Sequence, residues 1–231
     1  MDQYKSVVSN VIRERRTIRS YKSEPLSSDR IEALLAAAAV SCEKEFGELP
    51  CRFLLATSEE GKRKVGEAVM SIYTEQKLYK WVPNKVSQFM ISRIVKIPAL
   101  LAVITRRDMD IQRRERNDAA VSSLLHTFSL LAWEQRIGMV WGTDEMLQHP
   151  SLKKGLGLQE EEQLHCLCYV GAYDKVPKAK PRIAANQKFT LLTERDELTN
   201  DNDPVYDTRL ATDSRLYGAA CSARADYGDF R

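Results

Sequence analysis

The chain has 231 residues, 43% of them apolar and 29% charged, with a formal net charge of +3; that length and balance predict one globular domain with appendages and enough material for a core. So small a net charge, with no basic face interleaved with aromatics, argues against a dedicated nucleic-acid binder, and no run approaches the ~18 uninterrupted apolar residues of a membrane span. The first five residues lack the apolar stretch of a signal peptide, and five cysteines at irregular spacing make no disulfide framework, so the expected compartment is cytoplasmic.

Residues 3–14 read as a helix, with Val7, Val8, Val11 and Ile12 at helical spacing, running directly into Arg15-Arg16-Thr17-Ile18-Arg19. Three guanidiniums and a hydroxyl within five residues form a candidate phosphate grip, because a planar, permanently charged guanidinium pairs with phosphate oxygens through two parallel hydrogen bonds. The same run by itself is more often the solvated end of a helix. After a polar turn with Pro25, Ser27 or Ser28 can cap a second helix carrying Asp29 in its first turn, then Ile31, Leu34, Leu35 and four consecutive alanines from Ala36 to Ala39. The short apolar run over residues 52–57 is a strand. Residues 59–78 and 84–95 read as helices separated by Trp81-Val82-Pro83. Pro98 introduces a strand over 99–104 that is apolar on both faces, the pattern of an interior strand covered by helices on each side.

The longest helix is expected over residues 118–136, with apolar side chains around nearly its whole circumference and Gly138 ending it. A helix apolar all round is buried at the centre of a fold or in a subunit interface. A brief strand over 139–141 follows, then Thr143 capping a helix with Asp144 and Glu145 in its first turn, then a short turn starting at Pro150-Ser151. Residues 164–171 make the last core strand, in which Cys166 and Cys168 share a face as small buried side chains. His126, on the long helix, reads as a core residue, and together with His149 and His165 it is too scattered to suggest a metal site. The mixture of helices and strands is α/β or α+β. The expected division is a domain over 1–190 and a polar, acidic arm or disordered tail over 191–231.

Four segments, in order, resemble the nitroreductase family of flavin-dependent oxidoreductases. Arg15-Arg16-Thr17-x-Arg19 is similar to that family's N-terminal Arg-Arg-Ser/Thr-x-Arg. Pro98 and its apolar strand match a recurrent element ahead of the central helix. Arg136-Ile137-Gly138-Met139-Val140-Trp141-Gly142-Thr143 is similar to the family's helix end, Gly, strand and Trp-x-Ser/Thr run. Tyr169-Val170-Gly171-Ala172-Tyr173, followed by Pro177-Lys178-Ala179-Lys180-Pro181-Arg182, resembles its strand end with a basic residue behind prolines. The likeness covers about residues 5–190 and is greatest to the compact subgroup.

The resemblance implies an α+β sandwich, a mainly antiparallel sheet flanked by helices, built as a homodimer around the long central helix. It implies FMN as cofactor, NAD(P)H as co-substrate and a small electron-poor acceptor. Arg15, Arg16, Thr17 and Arg19 would hold the phosphate and ribityl end, Arg182 with Lys180 would close on the same phosphate, and Trp141, Gly142 and Thr143 would line the isoalloxazine. No catalytic side chain and no metal is implied. One departure stands out: the family's Ser-x-x-Asn-x-Gln-Pro-Trp run corresponds here to Ser41 through Glu48-Leu49-Pro50-Cys51, without the Asn, Gln or Trp. Three functions remain open on these residues: an NAD(P)H oxidoreductase acting on nitro-aromatics, quinones or similar acceptors; a flavoprotein with a changed reaction; and a degenerate member acting as a binding or interaction module.

Overall fold

Four strands pair into one antiparallel sheet in the order β1-β2-β4-β3, where β1 is Cys51–Ala56, β2 is Ala99–Arg106, β3 is Ile137–Gly142 and β4 is Glu162–Ala172. The structure, a computed structural model, describes residues 7–75, 84–143 and 145–179. Among the described residues six α-helices accompany the strands: α1 (Val7–Glu14), α2 (Ser28–Phe46), α3 (Glu59–Glu75), α4 (Asn84–Val95), α5 (Ile111–Glu134) and α6 (Pro150–Leu156). Residues up to Pro177 form one compact unit; of the second, Lys178–Arg231, only Lys178 and Ala179 are described.

The doubly apolar run after Pro98 is an interior strand. β2 pairs with β1 on one side and β4 on the other, and every residue except Arg106 is buried. Its alternate side chains feed two separate cores, because successive residues of a strand point to opposite faces. Ala99, Leu101 and Val103 pack with Ile31 and Leu35 of α2 and Val121, Leu124 and Phe128 of α5. Leu100, Ala102 and Ile104 pack with Val65 and Ile72 of α3 and Leu152 and Leu156 of α6. This is the expected α+β sandwich. Each fully buried aliphatic side chain contributes about 1.5–3 kcal/mol, so β2 is the strand whose loss the fold tolerates least. Cys166 and Cys168 lie in the α2/α5 core, fully buried, with their sulfurs 3.7 Å apart. The β2/β4 register shifts between Val103, opposite Cys166, and Ile104, opposite Leu164, leaving His165 as the extra residue of a bulge.

Several boundaries differ from the sequence expectation. The long helix starts at Ile111 rather than at residue 118, and the Asp110 side chain caps it by accepting from the Gln112 and Arg113 amides. It buries Ala120, Val121, Leu124, Leu125, Phe128, Ala132 and Trp133, but Ala119 and His126 are exposed and Leu130 and Leu131 half-buried. Among the described residues only part of its circumference is covered, and His126 is a surface residue. Gly138 does not end this helix. The chain turns at Gln135 and Arg136, the latter in the left-handed region at φ 59°, and Gly138 lies inside β3. Ser27 occupies the N-cap of α2 without a side-chain capping bond, and Ser28 Oγ instead donates to Asp29 at 3.2 Å. After Thr143 comes a single 3₁₀ turn, Glu145–Gln148, in place of an α-helix, and His149 Nδ1 caps α6 through the Ser151 amide. The helix expected over 59–78 is present to Glu75, with residues 76–83 outside the described set, and the one expected over 84–95 is α4. The proposed tail lies outside the described residues. Among the described residues no helix is long and apolar enough to cross a membrane.

Candidate functional site

The arginine cluster is strapped to the edge of the sheet. Ile18 is buried, and its amide donates to the Met139 carbonyl of β3 at 3.1 Å; four residues later the Lys22 amide donates to Ala172 O of β4 at 2.9 Å. Because Ala172 pairs with Ile137 at the start of β3, the strap runs antiparallel to β3. Going back from Ile18 the chain joins the end of α1, where the Arg15 amide donates to Val11 O at 2.9 Å. With Ile18 turned inward, its neighbours face out: Thr17 and Arg19 are exposed, and Arg15 and Arg16 are half-buried. A single buried anchor thus presents three guanidiniums and a hydroxyl along one edge.

Two glycines let the strap lie this close. A Cβ at Gly138 would collide with the Ile18 side chain and come within 2.8 Å of Tyr173 Cδ1, and one at Gly171 would meet Pro98 Cγ at 2.7 Å and Tyr21 Cδ1 at 3.0 Å. Tyr21 completes the anchoring. Its hydroxyl lies 2.7 Å from the carbonyl oxygens of both Ile18 and Tyr169, and burial raises its pKa well above the ordinary tyrosine range, keeping it a neutral donor. Lys22 is tied at 2.9 Å to Asp174.

The guanidinium of Arg16 donates to Arg13 O at 2.7 Å and Arg15 O at 2.9 Å, carbonyls at the end of α1. It lines a cleft of about 440 Å³ with Glu14, Trp133, Arg136 and Tyr173. Trp133 and Tyr173 stack there at 4.9 Å between centroids and 20° between planes, over Ile18. These three residues and Tyr21 are absent from the sequence-derived site. Tyr173 alone carried a signal, its place behind the last strand.

Trp141 is half-buried against the α2/α5 core, Gly142 is buried opposite Leu167, and Thr143 is exposed just past the strand end. The strap is bonded to β3 at Met139, and the cleft that Arg16 lines includes neither Trp141 nor Gly142. Arg182 and Lys180 lie outside the described residues. The donor chemistry suits a dianionic phosphate: three arginines lie within five residues of the strap, and the Arg16 guanidinium is bonded to backbone carbonyls. Among the described residues no cluster of His, Cys, Asp or Glu could hold a metal ion.

A family model described as the nitroreductase family matches residues 12–172. YfhC of Bacillus subtilis (strain 168), named provisionally as an NAD(P)H nitroreductase, is 31% identical over 185 residues, spanning 80% of this chain and 94% of that protein. The crystal structure of a nitroreductase-like family protein from Bacillus cereus superposes with a TM-score of 0.71 at 26% identity, covering 83% of this chain and 98% of that one. The FMN and NADPH-dependent nitroreductase NfnB from Sphigopyxis sp. strain HMH shares the fold at a TM-score of 0.61 and 16% identity, over 80% and 99% of the two chains. The match spans α1 of the arginine strap through the end of β4, and with it the chain belongs to the nitroreductase family.

Proposed function

We propose that this protein is an FMN-dependent oxidoreductase that takes a hydride from NAD(P)H and reduces a small electron-poor acceptor such as a nitro-aromatic or a quinone. The observation that carries the reading is the strap: an arginine-rich segment pinned by the Ile18–Met139 hydrogen bond against the strand that ends in Trp141-Gly142, in a chain of this family. Arg15, Arg16, Thr17 and Arg19 are the residues assigned to the phosphate and ribityl end, with Arg182 closing from the later chain. Trp141, Gly142 and Thr143 are assigned to the ring, mainly through backbone groups. When bound, FMN supplies the two-electron relay between NAD(P)H and acceptor. The chain's own residues bind, orient and exclude water, and no side-chain nucleophile is required of them. With a quinone the balance is NAD(P)H plus a proton and quinone giving NAD(P)⁺ and hydroquinone.

The working unit is proposed to be a cytoplasmic homodimer, with the domain running to about residue 190. The outward face of α5, with Ala119 exposed and Leu130 and Leu131 half-buried, and the exposed Val7, Val8 and Ile12 of α1 supply apolar surface for a second copy.

The test is the visible spectrum of the purified protein, before and after added FMN, followed by NAD(P)H oxidation with and without a quinone or nitro-aromatic. Flavin bands, a released mass matching FMN and acceptor-dependent turnover are expected. A protein that stays colourless with excess FMN would overturn the assignment.

A further inference from the structure

We propose that the cleft at the opposite end of the sheet, between the Glu48–Cys51 loop, the end of β2 and the first turns of α5, is a binding site for a small organic carboxylate. The site lies apart from the arginine strap. The cleft has a volume of about 660 Å³, within the ~300–1,000 Å³ range of small-molecule sites.

One buried polar group in its lining has no partner among the described residues. Thr105 forms part of the lining and is 3% exposed, yet its Oγ1 is buried with no hydrogen-bond partner among the described residues. A buried hydroxyl is normally paired, and an orphan calls for an explanation such as a group that binds there. Rotation about χ1 can turn it into the cleft. Asn117 and Arg113, one helical turn apart on α5, line the same cleft. Among the described residues the exposed Arg113 guanidinium faces one carboxylate, Asp108 at 3.6 Å, beyond good hydrogen-bond length.

The three groups have one capacity in common: hydroxyl, amide and guanidinium can all donate. They fit a cluster of acceptor oxygens carrying negative charge, which is a carboxylate. Three carboxylates line the cleft, Glu48, Asp108 and Glu162, against three arginines, Arg52, Arg106 and Arg113; Asp108 accepts from the Asp110 amide and faces Arg113. Glu162 is held by two bonds from Arg52, at 2.6 and 2.7 Å, and by the Gln159 amide at 2.9 Å. Its acceptor capacity is thus taken up within the protein. Leu49, Pro50 and Cys51 supply an apolar wall for the body of the ligand, with the Cys51 thiol kept neutral by burial, its pKa pushed up to about 11.

Benzoate is the probe, titrated into the full-length protein by calorimetry, with benzyl alcohol as the uncharged control. Saturable binding of benzoate but not of benzyl alcohol is expected. Arg113→Met and Thr105→Val should each weaken it by roughly tenfold, the effect of one lost charged or buried hydrogen bond, and Asn117→Leu by somewhat less. Arg16→Ala, at the strap, should leave benzoate affinity unchanged. Thr105→Val is close to isosteric and keeps the fold testable where a larger change could disturb it. Equal affinity in wild type and the Arg113 and Thr105 variants, loss of binding in Arg16→Ala, or no saturable binding at ~50 mM benzoate, well above a millimolar dissociation constant, would each overturn the proposal.

Discussion

The strap along β3 and the cleft at the end of β2 are both rich in arginine, but the protein treats their polar groups in opposite ways. At the strap, the backbone is anchored at Ile18 and Lys22, and the Tyr21 hydroxyl fastens two more carbonyls; the side chains that project from it are cationic and lean outward. At the cleft, the strong pair is internal, Arg52 with Glu162, while Thr105 carries a buried hydroxyl with no partner among the described residues. Rigid backbone carrying a run of guanidiniums suits an anion gripped at a fixed place, and an orphaned buried donor suits a ligand that completes a half-built set. The difference teaches that counting arginines does not locate a site. What their partners leave unsatisfied does.

The comparison breaks most severely if the strap lifts. Gly138→Val should do this, since even a Cβ there overlaps Ile18 and crowds Tyr173. Overpacking of this kind costs about 1–3 kcal/mol, read as a lower midpoint in urea unfolding, and FMN binding should fall with it while the benzoate site persists. Combining it with Ile18→Ala should recover part of the stability, because the obstructing side chain is gone. Arg16→Ala comes next. Removing a charged hydrogen-bond donor should weaken FMN binding by ~1.5–3 kcal/mol, with riboflavin, which lacks the phosphate, bound as well as by wild type. Arg182→Ala should act in the same direction, and unchanged FMN affinity in both variants would remove the phosphate assignment.

Much of this was legible along the chain, and the exceptions have a common physical cause. The doubly apolar 99–104 segment announced an interior strand because two cores must be filled from one backbone. The first two turns of α5 were missed because Gln112, Arg113, Arg114, Glu115 and Arg116 are all exposed, so no apolar stripe marks them; Asp110 was the one available signal, as a cap. Gly138 was misassigned for a different reason. A glycine just after a helix looks like a terminator, but Arg136 takes the left-handed turn and Gly138 is needed for contact with Ile18, about 120 positions earlier. The arginine cluster is visible as a motif, yet its place beside β3 depends on that same contact. The orphan at Thr105 is equally invisible in sequence, since hydrogen-bond satisfaction is a property of the packed molecule.

A smaller effect separates the internal pair from the binding groups of the cleft. The Arg52 guanidinium, then the Gln159 amide, hold Glu162 well below the usual carboxylate range, at about 2. A carboxylate depressed in the folded state contributes stability above its unfolded pKa and loses it as pH falls toward the folded value. The contribution should therefore be complete above about 4.5 and gone near about 2. Glu162→Gln should cost ~1–2 kcal/mol at neutral pH and flatten the acid limb of the stability curve in that window. An acid limb identical to wild type would show that the pair is not what holds this end of the sheet.

The smallest effect has the most diagnostic sign. Thr105→Val replaces a buried hydroxyl by a methyl group of nearly the same shape. If the hydroxyl were satisfied, the substitution would destabilise the protein. For an orphan the expectation reverses: the desolvation penalty disappears and stability rises by about 1 kcal/mol, visible as a higher unfolding midpoint at unchanged slope. Benzoate affinity should fall in the same variant. Stability gained where binding is lost is the signature of a group kept for a ligand, because packing alone would have selected the valine. Loss of stability on Thr105→Val would instead show that the hydroxyl is paired within the folded chain, and the contrast between the two ends of the sheet would shrink to one of charge.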